Sequence, residues 1–214
     1  MERWATFDCY GTLIDWNGGI RRELARVFGA DHADDKLARY HELEPELQAD
    51  GTRSYREVLT EAMRGLGAPQ DEEVALARSL PDWEPFPEVP AALQEARDRG
   101  WKLAILSNTD RDFIDASMAR LAVPFELEIV ASEIGSYKPA HRHWERFFEQ
   151  TQAPPDGHVH VGASLFHDIA PANELDLRSV WINRLAEQPE PRPTRELRDL
   201  DHLPETLDEL VPAG

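Results

Sequence analysis

Residues 4–12 read Trp-Ala-Thr-Phe-Asp-Cys-Tyr-Gly-Thr. The apolar run from Trp4 to Phe7 stops at a carboxylate, Asp8, and Gly11 follows, a residue suited to a turn or a close backbone approach. The run is read as a buried strand with Asp8 at its carboxyl end. A lone aspartate there commonly does no more than cap a turn, so its meaning depends on what the rest of the chain brings beside it.

From Ile20 to about Leu80 the apolar spacing is helical. Leu24, Val27 and Phe28 keep the period, as do Leu37, Tyr40, Leu43 and Leu47, and then Val58, Leu59, Ala62, Met63 and Leu66. The proline-rich stretch Pro81–Pro90 reads as a hinge or boundary. A helix over Ala91–Arg99, stopped by Gly100, leads into regular alternation. Strands are expected at Leu103–Leu106, Leu127–Ala131, His158–Val161 and Ser179–Ile182. Helices are expected at Arg111–Leu121, His141–Gln152 and Ile169–Leu175. Such alternation implies βαβ units with right-handed crossovers. The fold class is therefore α/β, a Rossmann-like doubly wound parallel sheet. Residues 1–15 and 85–214 form its core, and residues 16–84 form an α-helical cap inserted after the first strand, since so long a block cannot be a loop.

The chain has 214 residues, with 23 basic against 41 acidic side chains and a formal net charge of −18. That average field opposes nucleic acid and anionic membrane surfaces, so neither is an expected partner. A small anionic substrate needs a pocket with local positive charge. The single cysteine, Cys9, allows no intrachain disulfide and suits a reducing compartment. Asp8 arrives before any run of signal-peptide length, and no stretch approaches the roughly 20 apolar residues of a membrane span. The expectation is a cytoplasmic protein.

Ligands of open parallel sheets bind beyond the carboxyl ends of the strands. There the sequence places Asp8, then Ser107 and Asn108, then Lys138, then Ser164 and Asp168. Each residue alone has an ordinary reading: a helix cap for Ser107-Asn108 or Asp168, a solvated side chain for Lys138. Together, in this order, they bring two carboxylates, an amine and small polar groups to one edge.

At this point the residues resemble a known set. Phe7–Asp15, Leu103–Asn108 (LAILSN), Tyr137-Lys138-Pro139 and Val161–Ile169 (VGASLFHDI) are similar, in order and spacing, to the four motifs of the haloacid dehalogenase-like superfamily, closest to the type II L-2-haloacid dehalogenases. The resemblance implies a Rossmann-like core with a cap after the first motif, and Asp8 as nucleophile. Lys138 would keep Asp8 ionised, and Asp168 would orient Lys138 or help to activate water. Arg39, in Arg39-Tyr40-His41-Glu42-Leu43-Glu44, would face the active site and assist the departing halide or the substrate carboxylate. Thr12, Ser107 and Asn108 would bind that carboxylate, with Tyr10, Trp16 and Trp144 along the substrate.

Phosphatases of the superfamily carry an acid two residues after the nucleophile, where this chain has Tyr10. Tyrosine cannot readily donate a proton near neutral pH, and a halide leaving group needs none. The implied reaction is dehalogenation of a small 2-haloacid to a 2-hydroxy acid through an ester to Asp8. No cofactor is expected. Mg²⁺ enters only under the alternative, a Mg-dependent small-molecule phosphatase, where Asp8 and Asp168 would hold it. Ala163, Leu165 and Trp144 depart from the dehalogenase pattern, which leaves a catalytically divergent or non-enzymatic member as a further alternative. The resemblance is compatible with a homodimer.

Overall fold

The computed structural model describes residues 2–49 and 51–213; Met1, Asp50 and Gly214, which belong to the expected core and insert, lie outside them. The described chain runs β1 (Arg3–Phe7), α1 (Trp16–Phe28), α2 (Ala33–Gln48), α3 (Tyr55–Gly65), α4 (Ala75–Ser79), α5 (Val89–Asp98), β2 (Trp101–Ser107) and α6 (Arg111–Leu121). It continues through β3 (Leu127–Val130), α7 (Ala131–Ile134), α8 (Arg142–Thr151), β4 (His158–Gly162), α9 (Ala170–Glu174), β5 (Arg178–Ile182), β6 (Arg195–Leu197) and α10 (Leu203–Leu210).

The strands form one parallel sheet in the order β3-β2-β1-β4-β5-β6. The fold is the doubly wound α/β sandwich expected from the alternation. Every residue of β1 is buried, which is why this central strand reads as a continuous apolar run. Along β2 the side chains alternate between the two faces. Leu103 and Ile105 enter the larger apolar cluster, whereas Ala104 and Leu106 enter a second one with Trp4, Ile129, Trp144 and Phe147. Phe7, the last residue of β1, lies between Ile105 and Val161, so Asp8 leaves the sheet where the strand order reverses.

Helices α1–α4 pack on one another, and their apolar faces (Ile20, Leu24, Tyr40, Leu59 and Met63) join the same cluster as Phe7 and Ile105. Helix α3 starts at a capping box: the Ser54 hydroxyl accepts from the Glu57 N–H while the Glu57 carboxylate accepts from the Ser54 N–H. Helix α2 continues through Pro45, although a proline in a helix interior removes one backbone donor. Among the described residues no helix is long and apolar enough to cross a membrane.

Helix α7, which begins at Ala131 where the third strand was expected to end, was not expected from the sequence, and neither were two later elements, β6 and α10. The first is three residues long and mostly exposed on the sheet edge, too short to show a period. The second carries Asp208, whose carboxylate accepts from Arg3 Nη1 at 2.5 Å, Trp101 Nε1 at 2.9 Å and Arg99 Nη1 at 3.0 Å. It ties the last helix to the amino-terminal edge of β1 and β2.

Candidate active site

Asp8 is held by its backbone and by both carboxylate oxygens. Its N–H donates to the Val161 carbonyl at 2.9 Å, which extends the β1–β4 ladder by one residue. Oδ1 accepts from Lys138 Nζ at 2.9 Å, and Oδ2 accepts from the Thr12 hydroxyl at 2.8 Å. Thr12 Oγ1 in turn accepts from the Ala163 N–H at 2.9 Å, so the loop after β4 fixes the rotamer of the group after β1. Gly11 takes a φ of +89°, which the tight turn between Asp8 and Thr12 requires.

Lys138 Nζ also donates to Asp168 Oδ1 at 2.7 Å, so one ammonium bridges two carboxylates. Lys138 and Asp168 are buried, and Asp8 keeps a side chain 13% exposed towards the cavity. Asn108 fixes the lysine from behind: Oδ1 accepts from the Lys138 N–H at 2.6 Å and Nδ2 donates to the Lys138 carbonyl at 3.0 Å.

Asp168 belongs to a single π-helical turn, Leu165–Ile169, capped by the Ser164 hydroxyl, which accepts from the His167 N–H at 3.0 Å. Its Oδ2 accepts from the Ser164 N–H at 3.1 Å. Gly162 makes this approach possible, because a Cβ there would stand 2.4 Å from Asp168 Cγ. Beneath it, neutral tautomers satisfy a buried chain. His158 Nε2 donates to Thr6 Oγ1 at 2.8 Å, Thr6 donates to His160 Nδ1 at 2.9 Å, and His160 Nε2 reaches Asp168 Oδ1 at 3.3 Å.

These contacts divide the charge unequally. Burial opposes ionisation of Asp168, but Lys138 and His160 outweigh it and hold the carboxyl well below the usual carboxylate range. Burial also pushes the Asp8 carboxyl up, against Lys138, with the charge of Asp168 adding to the push. Burial alone would favour neutral Lys138, yet its two carboxylate neighbours hold it protonated. Asp168 is therefore the settled counter-ion, and Asp8 is the less stabilised anion, which is the condition for a nucleophile.

A cavity of about 500 Å³ opens above this triad. Tyr10, Trp16, Ser107, Asn108 and His167 line it together with the triad. Ser107 is buried with no partner for its hydroxyl. The Tyr10 hydroxyl lies 3.0 Å from Ser117 Oγ, and burial drives the phenol well above its ordinary value, so it stays protonated. Trp16 stacks on His41 with ring centroids 5.2 Å apart and donates to the Tyr55 hydroxyl at 2.9 Å. Burial lowers His167 to about 4, which leaves its ring neutral at pH 7. Cys9 is buried in the apolar cluster.

Three expected site residues sit elsewhere. Arg39 is exposed on the outer side of α2, paired with Glu42 at 2.5 Å. It is two residues from His41, roughly 200° around the helix, and the face of α2 that lines the cavity carries His41, Glu44, Pro45 and Gln48. Trp144 is fully buried against the opposite face of the sheet, edge-on to His160 at 5.0 Å, because α8 packs there. Thr12 is buried and touches Asp8 rather than the cavity. His41, Glu44, Gln48 and Tyr55 were missed. The signal for Glu44 was its spacing four residues from Tyr40 and from Gln48, on the buried stripe of the helix.

The family model for haloacid dehalogenase-like hydrolases matches residues 3–176. The chain is 30% identical over 189 residues to the (S)-2-haloacid dehalogenase of Pseudomonas sp. strain YL, covering 83% of this chain and 81% of the relative. It is 31% identical over 152 residues to a phosphoserine phosphatase of Thermus thermophilus, covering 69% of this chain and 61% of that relative. The solved L-2-haloacid dehalogenase of Xanthobacter autotrophicus with chloropropionic acid covalently bound shares the fold, with a TM-score of 0.82 at 19% identity, covering 97% of this chain and 98% of the other. The protein belongs to the haloacid dehalogenase-like hydrolase family.

Proposed function

We propose that this hydrolase removes halide from a small 2-haloacid, giving the 2-hydroxy acid by way of an ester to Asp8. The observation that carries the reading is the Lys138 bridge, which orients Asp8 at the cavity and opposes the burial that disfavours its charge, while Tyr10 occupies the place of a proton donor. In the first step an Asp8 oxygen attacks C2, the C2–halogen bond breaks with its electron pair on the halide, and C2 inverts. In the second, water attacks the ester carbonyl, the acyl–oxygen bond breaks, and the alkoxide takes a proton from that water. The second water proton leaves to solvent. The partnerless Ser107 hydroxyl is placed to bind the substrate carboxylate, and Asn108 acts through Lys138.

The residues present do not fit a magnesium ion between the two carboxylates. Each oxygen of Asp8 and Asp168 already accepts a donor, and Ala163 adds no carboxylate. No group of three or more His, Cys, Asp or Glu side chains among the described residues is arranged to hold a metal. Phosphatase chemistry is kept as a second reading because of the similarity to the phosphoserine phosphatase.

Halide release from L-2-chloropropionate tests the first reading. A single turnover in ¹⁸O-water should place the label in Asp8 and leave the product hydroxyl unlabelled. No release from any short haloacid by folded protein would overturn the dehalogenase reading. Turnover of an aryl phosphate abolished by EDTA would replace it with the phosphatase.

A further inference from the structure

The roof of the cavity is built for a different charge from the one expected of it. Helix α2 turns Arg39 to solvent and presents His41, Glu44, Pro45 and Gln48 inward. Glu44 and Gln48 are each only 7% exposed. The Gln48 amide donates to Glu44 Oε1, which directs the Gln48 carbonyl oxygen elsewhere, and that oxygen has no partner. The Gln48 amide is a donor to Glu44, and a ligand that brings further donors would satisfy both that carboxylate and the Gln48 carbonyl oxygen. Among the described lining residues the cations are already engaged: Lys138 with Asp8 and Asp168, Arg184 with Glu88 at 2.7 Å. Burial lowers the His41 imidazole below its ordinary value, which disfavours its cationic form. Size points the same way, since a cavity of about 500 Å³ is in the range that encloses drug-sized ligands and a three-carbon acid leaves most of it empty.

We propose that Glu44 and Gln48 form a distal subsite for an ammonium group, so that the preferred substrate is a longer acid with its carboxylate near Ser107 and a cationic amine under α2. The proposal rests on the reading of Asp8 as the reacting end of the cavity. Burial, helped by the charge of Asp8, pushes Glu44 up to about 7, so its carboxylate waits for a counter-ion that no cation among the described lining residues provides. The titratable groups facing it are Asp8 at the end of β1, Tyr40 on α2, Tyr55 on α3 and Tyr137 before Lys138, with Lys138 behind Asp8. The three phenols are all raised by burial and stay neutral through this range.

The test measures binding, not turnover. Calorimetry compares unbranched ω-amino acids, from 3-aminopropanoate to 6-aminohexanoate, with the unsubstituted acids of the same length. At pH 8 the best amino acid should bind about tenfold tighter than its partner or better, the effect of one charge-assisted contact. The preference should collapse to about threefold or less in Glu44→Gln, and in wild-type protein at pH 5.5, where Glu44 is protonated. Near pH 7 binding should release protons, seen as a buffer-dependent heat that the variant lacks. The wild-type pH series needs no variant and stands if Glu44→Gln fails to fold. Equal affinity for the two acids, a preference that survives in folded Glu44→Gln, or no measurable binding of either class would overturn the subsite. A clear preference without halide release would leave the subsite standing and remove only the dehalogenase reading.

Discussion

Lys138 Nζ is 2.7 Å from Asp168 and the pair is fully buried, so the ammonium that orients Asp8 is also a structural ion. Lys138→Met should therefore show two losses. Two buried carboxylates would face each other unpaired, a change of about 3–5 kcal/mol at pH 7, and turnover should fall by about 10²–10³-fold or more. Urea unfolding and steady-state kinetics read these separately. The stability loss should shrink at pH 5, because an unpaired carboxyl takes up a proton and stops being a buried charge.

Gly162→Ala should act at a distance of one contact. The new methyl would meet Asp168 Cγ at 2.4 Å and push the carboxylate away from Lys138. Over-packing of this kind costs about 1–3 kcal/mol, whereas displacement of the pair by an ångström should lower kcat by about 10²-fold. A variant that loses stability but keeps its kcat would show that Asp168 does not set the geometry.

Arg39→Ala should be nearly silent. Its partner Glu42 is exposed and its side chain is 54% exposed, so stability should change by no more than about 0.5 kcal/mol. Halide release should stay within about twofold. A large fall in kcat would place the guanidinium in the cavity during turnover, contrary to the position found here.

Glu44 should leave a signature in stability against pH. Its folded value of about 7 lies above the ordinary 4.5, so between those values the folded protein holds a proton that the unfolded chain has lost. Its contribution is fully present below about pH 4.5 and is lost as pH rises to 7, by about 3 kcal/mol in all. Glu44→Gln has no such term, so between pH 5 and pH 8 the variant should gain on wild type by about that amount. Burial keeps His143 and His158 near 3 and His167 near 4, which gives an opposite slope below pH 6.5. Both proteins share that slope, and the difference between their unfolding curves removes it.

The parallel strands and the chemistry at their ends were legible in the sequence for a common reason, although the order of the strands was not. Central strands buried on both faces are short apolar runs, and whatever polar residue ends such a run must stand at the carboxyl edge; Asp8 and Ser107 follow from that rule, whereas Lys138 comes eight residues after the edge strand β3, beyond α7. Asp168 was expected one turn after the fourth strand as the partner of Lys138, with a helix cap as its ordinary reading. The π-helical turn that swings it under Lys138 depends on the room left by Gly162, a tertiary fact. The roof was harder. Leu37, Tyr40, Leu43 and Leu47 carry the apolar period of α2, yet of these only Tyr40 is buried, in line with Glu44 and Gln48, because the helix faces a polar cavity as well as a core. Hydrophobic spacing cannot find the phase of such a helix, and Arg39 was expected on the wrong side for that reason. Trp144 failed similarly: motif spacing gave its position in the chain but not the sheet face onto which α8 delivers it.

The order β3-β2-β1-β4-β5-β6, with Arg3 reaching Asp208 and the Val211 carbonyl, also bears on synthesis. A ribosome delivers β1 first, but that strand lacks its second neighbour until His158–Gly162 has emerged, and Arg3 lacks its partner until the last helix follows. The strand that leads into Asp8 thus keeps an open edge until β4 has been made. Nascent chains halted before β4 should be sensitive to protease throughout their first strand.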